Sequence, residues 1–156
     1  LYRFADRNTA IRMCATSYTH DAAVLAQLSR LVTINSALEV DLTGQVNAEA
    51  SGSAYLGGTG GQVDFVRAGA RSQGGHSIIA MSATAKGGSL SKITPNLSGP
   101  VTTARSDVDI IVTEFGAAEL KGQSLGERAR RMVAIAHPDF REQLDEVAHA
   151  IGKRGY

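Results

Sequence analysis

The feature that most constrains this chain is a run of four glycines that ends where a helical pattern begins. Gly57, Gly58, Gly60 and Gly61 are followed directly by residues 62–71, which have helical spacing. Glycine adopts backbone conformations that other residues avoid, and it lets a ligand approach the main chain closely. The start of a helix adds unpaired N–H groups that suit a phosphate or a carboxylate. The run predicts either an anion-binding loop or a plain tight turn.

The composition is that of one globular domain over residues 1–156, with 43% hydrophobic and 20% charged residues. A net charge of +1 gives little support to a nucleic-acid partner or an anionic membrane. No apolar run has the length of a membrane span. The single cysteine, Cys14, allows no internal disulfide and no cysteine-based metal cluster. We therefore expect a cytoplasmic protein that binds neither nucleic acid nor membrane.

Predicted strands and helices alternate along most of the chain. Helical spacing covers residues 21–30, 62–71 and 124–136, and Pro138 suits the first turn of a last helix. Residues 1–20 predict a short helical piece and then an edge strand. Strand patterns occupy five further stretches, at 31–42, 76–82, 90–94, 101–103 and 108–113. This order predicts an α/β domain with an open, mostly parallel sheet flanked by helices, and with ligand loops at the strand ends.

Most catalytic classes lack their signature in this sequence. The four histidines are too scattered to predict a metal site, and they lie at positions 20, 76, 137 and 149. Val63 stands where a dinucleotide loop has its third glycine, and no Walker-type Gly-Lys-[Ser/Thr] occurs. Cys14 has no neighbouring signature of an activated thiolate. We expect no bound metal.

Four carboxylates are candidates for an acid, a base or a nucleophile, namely Glu39, Asp41, Glu49 and Glu114. Glu39 and Asp41 share one face of a predicted strand, which is typical of a hydrated or salt-bridged surface. Glu114 follows a predicted strand, where function is common in open α/β sheets. For Glu114 we nevertheless favour a structural role.

A second glycine loop follows at Lys86, Gly87 and Gly88, and Asn47 precedes the first loop. An asparagine amide can donate to a carbonyl or an oxyanion, and a lysine supplies a charge for a phosphate or carboxylate. Considered alone, Asn47 is expected to make a turn-stabilising contact, and Lys86 is expected to be a solvated loop charge. Together with a helix start, they favour a cleft that holds a phosphorylated acyl carrier and polarises its carbonyl.

Five blocks of sequence resemble the acetyl-CoA hydrolase/transferase family, above all its 4-hydroxybutyrate CoA-transferase-like and acetate-type members. They are residues 36–47, 57–65, 82–88, 112–116 and 135–141. The resemblance implies the C-terminal half of a two-domain enzyme, with a CoA-transferase-like fold and the CoA thioester bound near the domain junction. Such enzymes move CoA between carboxylic acids, or hydrolyse acyl-CoA, through a glutamate that becomes a glutamyl-CoA thioester.

The resemblance also implies roles for residues already singled out. Asn47 matches a residue that helps to polarise the thioester carbonyl, and Lys86, Gly87 and Gly88 match the loop that approaches the thioester. The loop of Gly57, Gly58, Gly60 and Gly61 matches one beside the active site. Residues 135–141, around His137, match a block that caps and packs the last helix.

The family's glutamate lies upstream of the matched part, and no glutamate precedes Glu39 here. We therefore expect the isolated chain to be inactive. The expected partners are an acyl-CoA, a small carboxylic acid and the enzyme's N-terminal domain; a homodimer is compatible with this assignment. CoA or acyl-CoA is the expected substrate. An acyl-CoA hydrolase of the same family and a non-catalytic ligand-binding domain are the alternatives.

Overall fold

The computed structural model describes residues 1–155. The described residues form six α-helices, of which three are single turns near the start and three are longer: α1 (Tyr2–Ala5), α2 (Thr16–Thr19), α3 (Ala22–Leu25), α4 (Gln62–Arg71), α5 (Leu125–Ala134) and α6 (Pro138–Arg154). None of these helices combines the length and the apolar character that crossing a membrane requires.

Four strands form the main sheet, in the order β1-β6-β10-β11. Its members are β1 (Val32–Asn35), β6 (His76–Ala80), β10 (Ile110–Thr113) and β11 (Gly116–Glu119). β1, β6 and β10 run parallel, whereas β11 returns antiparallel to β10 through a tight turn at 114–115. Because α4 packs on β1 and β6 while α5 packs on β11 and α6, helices flank the sheet. The predicted α/β domain with an open, mostly parallel sheet is confirmed.

A second, smaller sheet has the order β3-β2-β9 and is built from β2 (Glu39–Asp41), β3 (Val46–Asn47) and β9 (Ile93–Thr94). Two short hairpins complete the strands. They are β4 (Ala50–Ser51) with β5 (Ala54–Tyr55), and β7 (Thr84–Ala85) with β8 (Leu90–Ser91). A short 3₁₀ turn, Lys86–Gly88, connects β7 to β8. These small elements lie beside the carboxyl ends of the main sheet and form the candidate site.

One hydrophobic cluster joins both sheets to the three longer helices. It contains Val66 of α4, Ile79 of β6, Ile111 of β10, Met132 of α5 and Leu144 of α6, all of which are buried. Burying one such side chain stabilises a fold by roughly 1.5–3 kcal/mol. The cluster also includes residues of the second sheet. The core thus fixes the small sheet against the large one.

The longer helices were predicted well, because their ends carry local signals. α4 covers the predicted residues 62–71. The hydroxyl of Ser124 accepts a hydrogen bond from the N–H of Glu127 at the start of α5. Pro138 lies in the first turn of α6, and Nδ1 of His137 accepts from the N–H of Asp139. The helix predicted for residues 21–30 is shorter, since α3 ends at Leu25 and Leu28 is 47% exposed.

The strand predictions need more correction. Residues 31–42 were predicted as one strand but contain β1 and β2, which belong to different sheets. Residues 90–94 likewise divide into β8 and β9. Residues 101–103 contribute only an isolated bridge between Val46 and Thr103. The edge strand predicted within residues 1–20 is wrong, because that described segment contains α1 and α2 and no strand.

Candidate functional site

A cleft of about 570 Å³ opens beside the carboxyl ends of β1 and β6. Its walls come from the segment after β1, the β4 turn, the β7–β8 hairpin and β9. The residues that line the cleft are Leu38, Glu39, Ala50, Ser51, Gly52, Ser82, Thr84, Ala85, Lys86, Leu90, Ser91, Lys92, Thr94 and Ser98. Open α/β sheets bind ligands outside the carboxyl ends of their parallel strands. This cleft is therefore the candidate functional site.

The turn that carries Lys86 has an unusual backbone. Lys86, Gly87 and Gly88 have φ angles of 50°, 67° and 96°, so three consecutive residues are left-handed. A Cβ added at Gly87 or Gly88 would meet no atom within 4 Å. The two glycines are therefore required by backbone conformation and not by internal packing. The outer face of this turn is open to a ligand.

Lys92 brings a second cation to the cleft from a rigid position. Its N–H donates to the carbonyl of Ala83, and its carbonyl accepts from the N–H of Val40, both at 2.8 Å. Among residues 1–155, no carboxylate lies within 4.0 Å of its ammonium group. Burial lowers the pKa of Lys92, and the more distant Glu114 acts in the opposite direction. The side chain is half-buried and lines the cleft.

Glu39 also lines the cleft, but its carboxylate is occupied by the chain itself. It accepts hydrogen bonds from the Asn47 amide (2.9 Å), from the N–H and hydroxyl of Ser98 (2.7 and 2.9 Å) and from the N–H of Gly99 (3.1 Å). All four donors reach Oε1, and the Ser98 hydroxyl also lies 3.0 Å from Oε2, so one oxygen of this carboxylate is fully engaged within the chain. Glu39 therefore holds residues 98–99 against the cleft wall.

Asn47 is fully buried behind that wall. Its amide nitrogen donates to Oε1 of Glu39 (2.9 Å) and to the carbonyl of Ala50 (2.7 Å). Its amide oxygen accepts from the N–H groups of Glu49 and Ala50. Both amide protons are used within the chain, so this structure leaves none for an oxyanion. Asn47 therefore makes the turn-stabilising contacts that the sequence offered as an alternative to a ligand-binding role.

The first glycine loop lies apart from the cleft, because no residue of 57–61 is among those that line it. Gly60 has a φ of 56°, and Gly61 is the N-cap of α4, where no side chain caps the helix. A Cβ on Gly61 would lie 2.1 Å from Nε2 of His20, so any side chain here would have to displace the His20 ring. Gly57 and Gly58 have neither a positive φ nor a neighbour within 4 Å of an added Cβ. Nothing within the described chain explains these two glycines.

The other candidate carboxylates act as acceptors for nearby loops. Asp41 is buried and accepts from Thr43 and Gln45. The carboxylate of Glu114 accepts from the N–H of Ala83, and hydrogen bonds from its own N–H and from that of Ala83 lower the pKa of Glu114. This bond ties the carboxyl ends of β6 and β10 together, which is a structural role.

Glu49 is also buried, and it lies between two hydroxyl donors. It accepts from the phenol of Tyr55 and from the hydroxyl of Thr102, each at 2.9 Å. The hydrogen bond to Glu49 raises the pKa of Tyr55. Glu49 therefore ties β5 to residue 102, at the base of the first glycine loop.

Sequence reasoning missed two residues of the site, Lys92 and Ser98. The role of Lys92 was not recognised because the sequence pattern predicts one strand over residues 90–94, in which a lysine would be a solvated side chain. The strand instead breaks at Lys92 and changes sheets there. Ser98 lies in an irregular segment whose contact with Glu39 spans 59 residues of sequence, and no local pattern signals such a contact.

An open, mostly parallel sheet with a cationic cleft at its strand ends defines the class of α/β domains that bind ligands at this edge. The chain belongs to the acetyl-CoA hydrolase/transferase family, whose C-terminal domain it matches over residues 1–148. The resemblance inferred from the five sequence blocks is confirmed.

Individual relatives agree with this family. The chain is 45% identical over 146 residues to 4-hydroxybutyrate coenzyme A transferase of Clostridium kluyveri, covering 92% of this chain and 34% of that protein. It is 36% identical over 120 residues to acetyl-CoA hydrolase of Candida albicans, covering 74% and 22% of the two chains.

Solved structures show the same fold. RipA from Yersinia pestis superposes with a TM-score of 0.89 and 44% identity, over 97% of this chain and 34% of that one. The 4-hydroxybutyrate CoA-transferase from Porphyromonas gingivalis gives a TM-score of 0.79 and 42% identity, over 99% and 34%. The chain thus spans about a third of the length of these relatives.

Proposed function

We propose that this chain is the C-terminal, CoA-binding domain of a CoA-transferase that moves CoA between an acyl-CoA and a carboxylic acid of the acetate or 4-hydroxybutyrate type. The observation that carries the proposal is the family match over residues 1–148, with a cationic cleft at the strand ends. We also propose that the domain works in the cytoplasm and depends on an N-terminal domain of the same enzyme.

The chemistry requires a nucleophile that this chain does not supply. A glutamate carboxylate attacks the thioester carbonyl and expels the CoA thiolate, which then attacks the resulting glutamyl anhydride and releases the first acid. The glutamyl-CoA thioester reacts with the second acid by the same steps in reverse, so that no oxidant or water is consumed. The four candidate carboxylates, at 39, 41, 49 and 114, are all engaged within the chain, and the family resemblance implies a glutamate upstream of the matched part. We therefore place the nucleophile outside residues 1–156.

Within the cleft, we assign the turn of Lys86, Gly87 and Gly88 to the CoA thioester. Its open outer face allows main chain and ligand to approach each other, and Lys86 offers a charge for a phosphate or carboxylate. Asn47 supports the carbonyl site from behind, because it holds Glu39 and Ala50 in the cleft wall.

We assign the loop of Gly57, Gly58, Gly60 and Gly61 to the boundary between CoA and the rest of the enzyme. Neither the backbone conformation nor the packing of the described residues requires glycine at positions 57 and 58. This favours close approach by a ligand or by another part of the protein. The uncapped start of α4 beside them suits a negatively charged group.

Exposed apolar side chains near the start of the chain support the proposed N-terminal domain. Tyr2 and Met13 are each 90% exposed, and Phe4, Tyr18 and Ile34 are exposed as well. Several large apolar side chains exposed within one short part of a chain favour a covering protein surface. Since the relatives are about three times longer, we propose that their additional domain covers these side chains.

An exchange assay on the full-length protein tests the function. Butyryl-CoA and acetate should give equal amounts of acetyl-CoA and butyrate, with little free CoA, and the isolated 156-residue chain should give none. A hydrolase would release free CoA and butyrate without acetate, an alternative that the hydrolase relative favours. CoA binding by calorimetry without either reaction would identify a non-catalytic binding domain and contradict the proposal.

A further inference from the structure

Two lysines line the cleft, and neither forms an ion pair with a carboxylate of the described residues 1–155. Lys86 is exposed on the open turn, whereas Lys92 is half-buried deeper in the wall. Glu39, the one acidic residue that lines the cleft, already accepts from four groups of the chain. Glu114 offsets the burial of Lys92 only in part, because the pKa of Lys92 stays below its ordinary value, so an anion that enters the cleft gains from both lysines.

The base of Lys92 is held rigidly, which distinguishes it from a mobile surface lysine. Its peptide groups bond to Ala83 on one side and to Val40 on the other. The hydroxyl of Ser91 donates to the carbonyl of Ile93 at 2.7 Å, which fixes the strand break around Lys92. The backbone position of Lys92 is therefore fixed, and partial burial removes some of the side chain's rotamer freedom before a ligand binds.

Glu114, whose charge acts on Lys92, forms no ion pair with it. Glu114 lies beyond the 4.0 Å limit of an ion pair, and its carboxylate is held by the N–H of Ala83 at 2.8 Å. The charge of Glu114 therefore opposes the effect of burial on the pKa of Lys92 without forming an ion pair with it. This arrangement leaves the ammonium group available to a ligand in the cleft.

The two lysines differ in which anion they suit. A diphosphate is large and strongly hydrated, so it fits the exposed Lys86 at the mouth of the cleft. A carboxylate is compact and forms short, charge-assisted hydrogen bonds with a partly desolvated ammonium group. We propose that Lys92 binds the carboxylate of the acid that exchanges with CoA, while Lys86 serves the CoA side. This assignment rests on the proposed transferase function.

The test compares Lys92→Met with Lys92→Arg in the full-length enzyme. Methionine keeps the length of the side chain and removes its charge, and arginine keeps the charge. In exchange between butyryl-CoA and acetate, Lys92→Met should raise the KM for acetate about tenfold or more, as expected for loss of a hydrogen bond to a charged group. The kcat and the Kd for CoA should change by no more than about twofold.

The controls separate this role from a structural one. Lys92→Arg should recover most of the acetate KM, and Lys153→Met, at the exposed end of α6, should change nothing. An unchanged acetate KM in Lys92→Met would overturn the assignment, as would an equal loss of CoA affinity. Failure of arginine to restore the KM would also contradict it.

A binding experiment keeps this inference distinct from the proposed function. Saturation-transfer NMR should detect acetate bound to the wild-type protein and no acetate bound to Lys92→Met. If the wild-type enzyme exchanges no CoA but shows this difference, the transferase proposal fails and the carboxylate site stands. If it exchanges CoA and Lys92→Met still binds acetate normally, the carboxylate site fails alone.

Discussion

The side-chain amide of Asn47 donates a 2.9 Å hydrogen bond to Oε1 of Glu39, directly across the antiparallel pair of β2 and β3. The same carboxylate accepts from the N–H groups of Ser98 and Gly99. One buried contact therefore joins two strands and an irregular segment into a single wall of the cleft. Residues 98–99 belong to no described helix or strand. The position of this part of the wall therefore depends on its hydrogen bonds to Glu39.

Removing the Asn47 amide should loosen the cleft wall. Asn47→Ala removes one of the donors to Glu39 and leaves the carbonyl of Ala50 and the N–H groups of Glu49 and Ala50 without their side-chain partner, which costs about 1–3 kcal/mol of local stability. We expect faster hydrogen exchange over residues 46–55 of the full-length protein, together with a lower kcat. A loss of kcat of roughly 10²-fold with unchanged exchange would instead identify a direct oxyanion donor.

Gly99 offers an independent test of the same contact. A Cβ at Gly99 would lie 2.6 Å from Nδ2 of Asn47, so Gly99→Ala must displace the buried amide. We expect Gly99→Ala to increase exchange over residues 46–55 as Asn47→Ala does. Gly152→Ala in α6 is the matched control, since its Cβ would meet nothing within 4 Å. Normal hydrogen exchange in Gly99→Ala would show that the cleft wall accommodates the added methyl group without losing the Asn47 contacts, and it would contradict this prediction.

Gly61 and His20 form a pair that a double mutant can test. Gly61→Ala should push away the His20 ring, whose Nε2 would lie 2.1 Å from the new Cβ, and lower the stability of α2 and α4. His20→Ala removes the obstacle, so the double mutant should be more stable than the sum of the single effects predicts. Thermal unfolding of the four proteins measures this coupling, and strictly additive effects would contradict it.

Gly58→Ala is the counterpart of that experiment in the same loop. Its Cβ would meet no atom of the described residues within 4 Å, so its thermal unfolding should match that of the wild type. If the loop faces CoA, this variant should nevertheless weaken CoA binding in calorimetry. Unchanged CoA affinity would remove Gly58 from the proposed site.

The sequence predicted elements whose signals are local. The 3.6-residue spacing of α4 and the caps at Ser124 and His137 depend on neighbours within one turn, and those helices lie where they were predicted. A strand break carries no such signal. Residues 31–42 and 90–94 keep a β-like composition while passing from one set of strands to another, which only the tertiary structure determines.

The candidate site was predictable in part, for a related reason. The glycines and the lysine of residues 86–88 were recognisable because a left-handed turn demands glycine. The orientation of Asn47 was not, since its partners Glu39 and Ala50 compete with a ligand for the same amide protons. Lys92 gained its significance only from the cleft that forms around it.

The stability of α5 should fall at acidic pH, as Glu127 becomes protonated. Hydrogen bonds from Arg130 and Arg131 lower the pKa of Glu127 from 4.5 to about 2. A carboxylate with a lowered folded-state pKa stabilises the fold above its unfolded-state pKa, and this contribution disappears as pH falls through the folded-state pKa. The difference in α5 stability between wild type and Glu127→Gln should therefore be full above pH 4.5 and vanish towards about pH 2.

Hydrogen exchange of the α5 amides, corrected for the intrinsic effect of pH, measures that difference. Glu142→Gln is a suitable control, because Glu142 is exposed on α6 and makes no ion pair among the described residues. A difference between wild type and Glu127→Gln that stays constant with pH would show that the ion pairs do not cause it.

Alkaline pH should weaken carboxylate binding through Lys92. Burial lowers the pKa of this ammonium group, so it loses its charge at a lower pH than an ordinary lysine does. The KM for acetate should therefore rise as pH increases towards the ordinary lysine pKa. Lys92→Arg should remain flat over the same range, because a guanidinium group stays protonated. Parallel pH profiles of the two enzymes would show that another group titrates.

Trapping the covalent intermediate tests whether this chain is the part of a CoA-transferase that lacks the nucleophilic glutamate. The full-length protein is incubated with acetyl-CoA, reduced with borohydride and analysed by peptide mass spectrometry, since reduction of a glutamyl-CoA thioester leaves an alcohol in place of the carboxylate. We expect one reduced glutamate, located outside residues 1–156. A reduced Glu39, Glu49 or Glu114, or no reduced glutamate in a protein that exchanges CoA, would contradict the account.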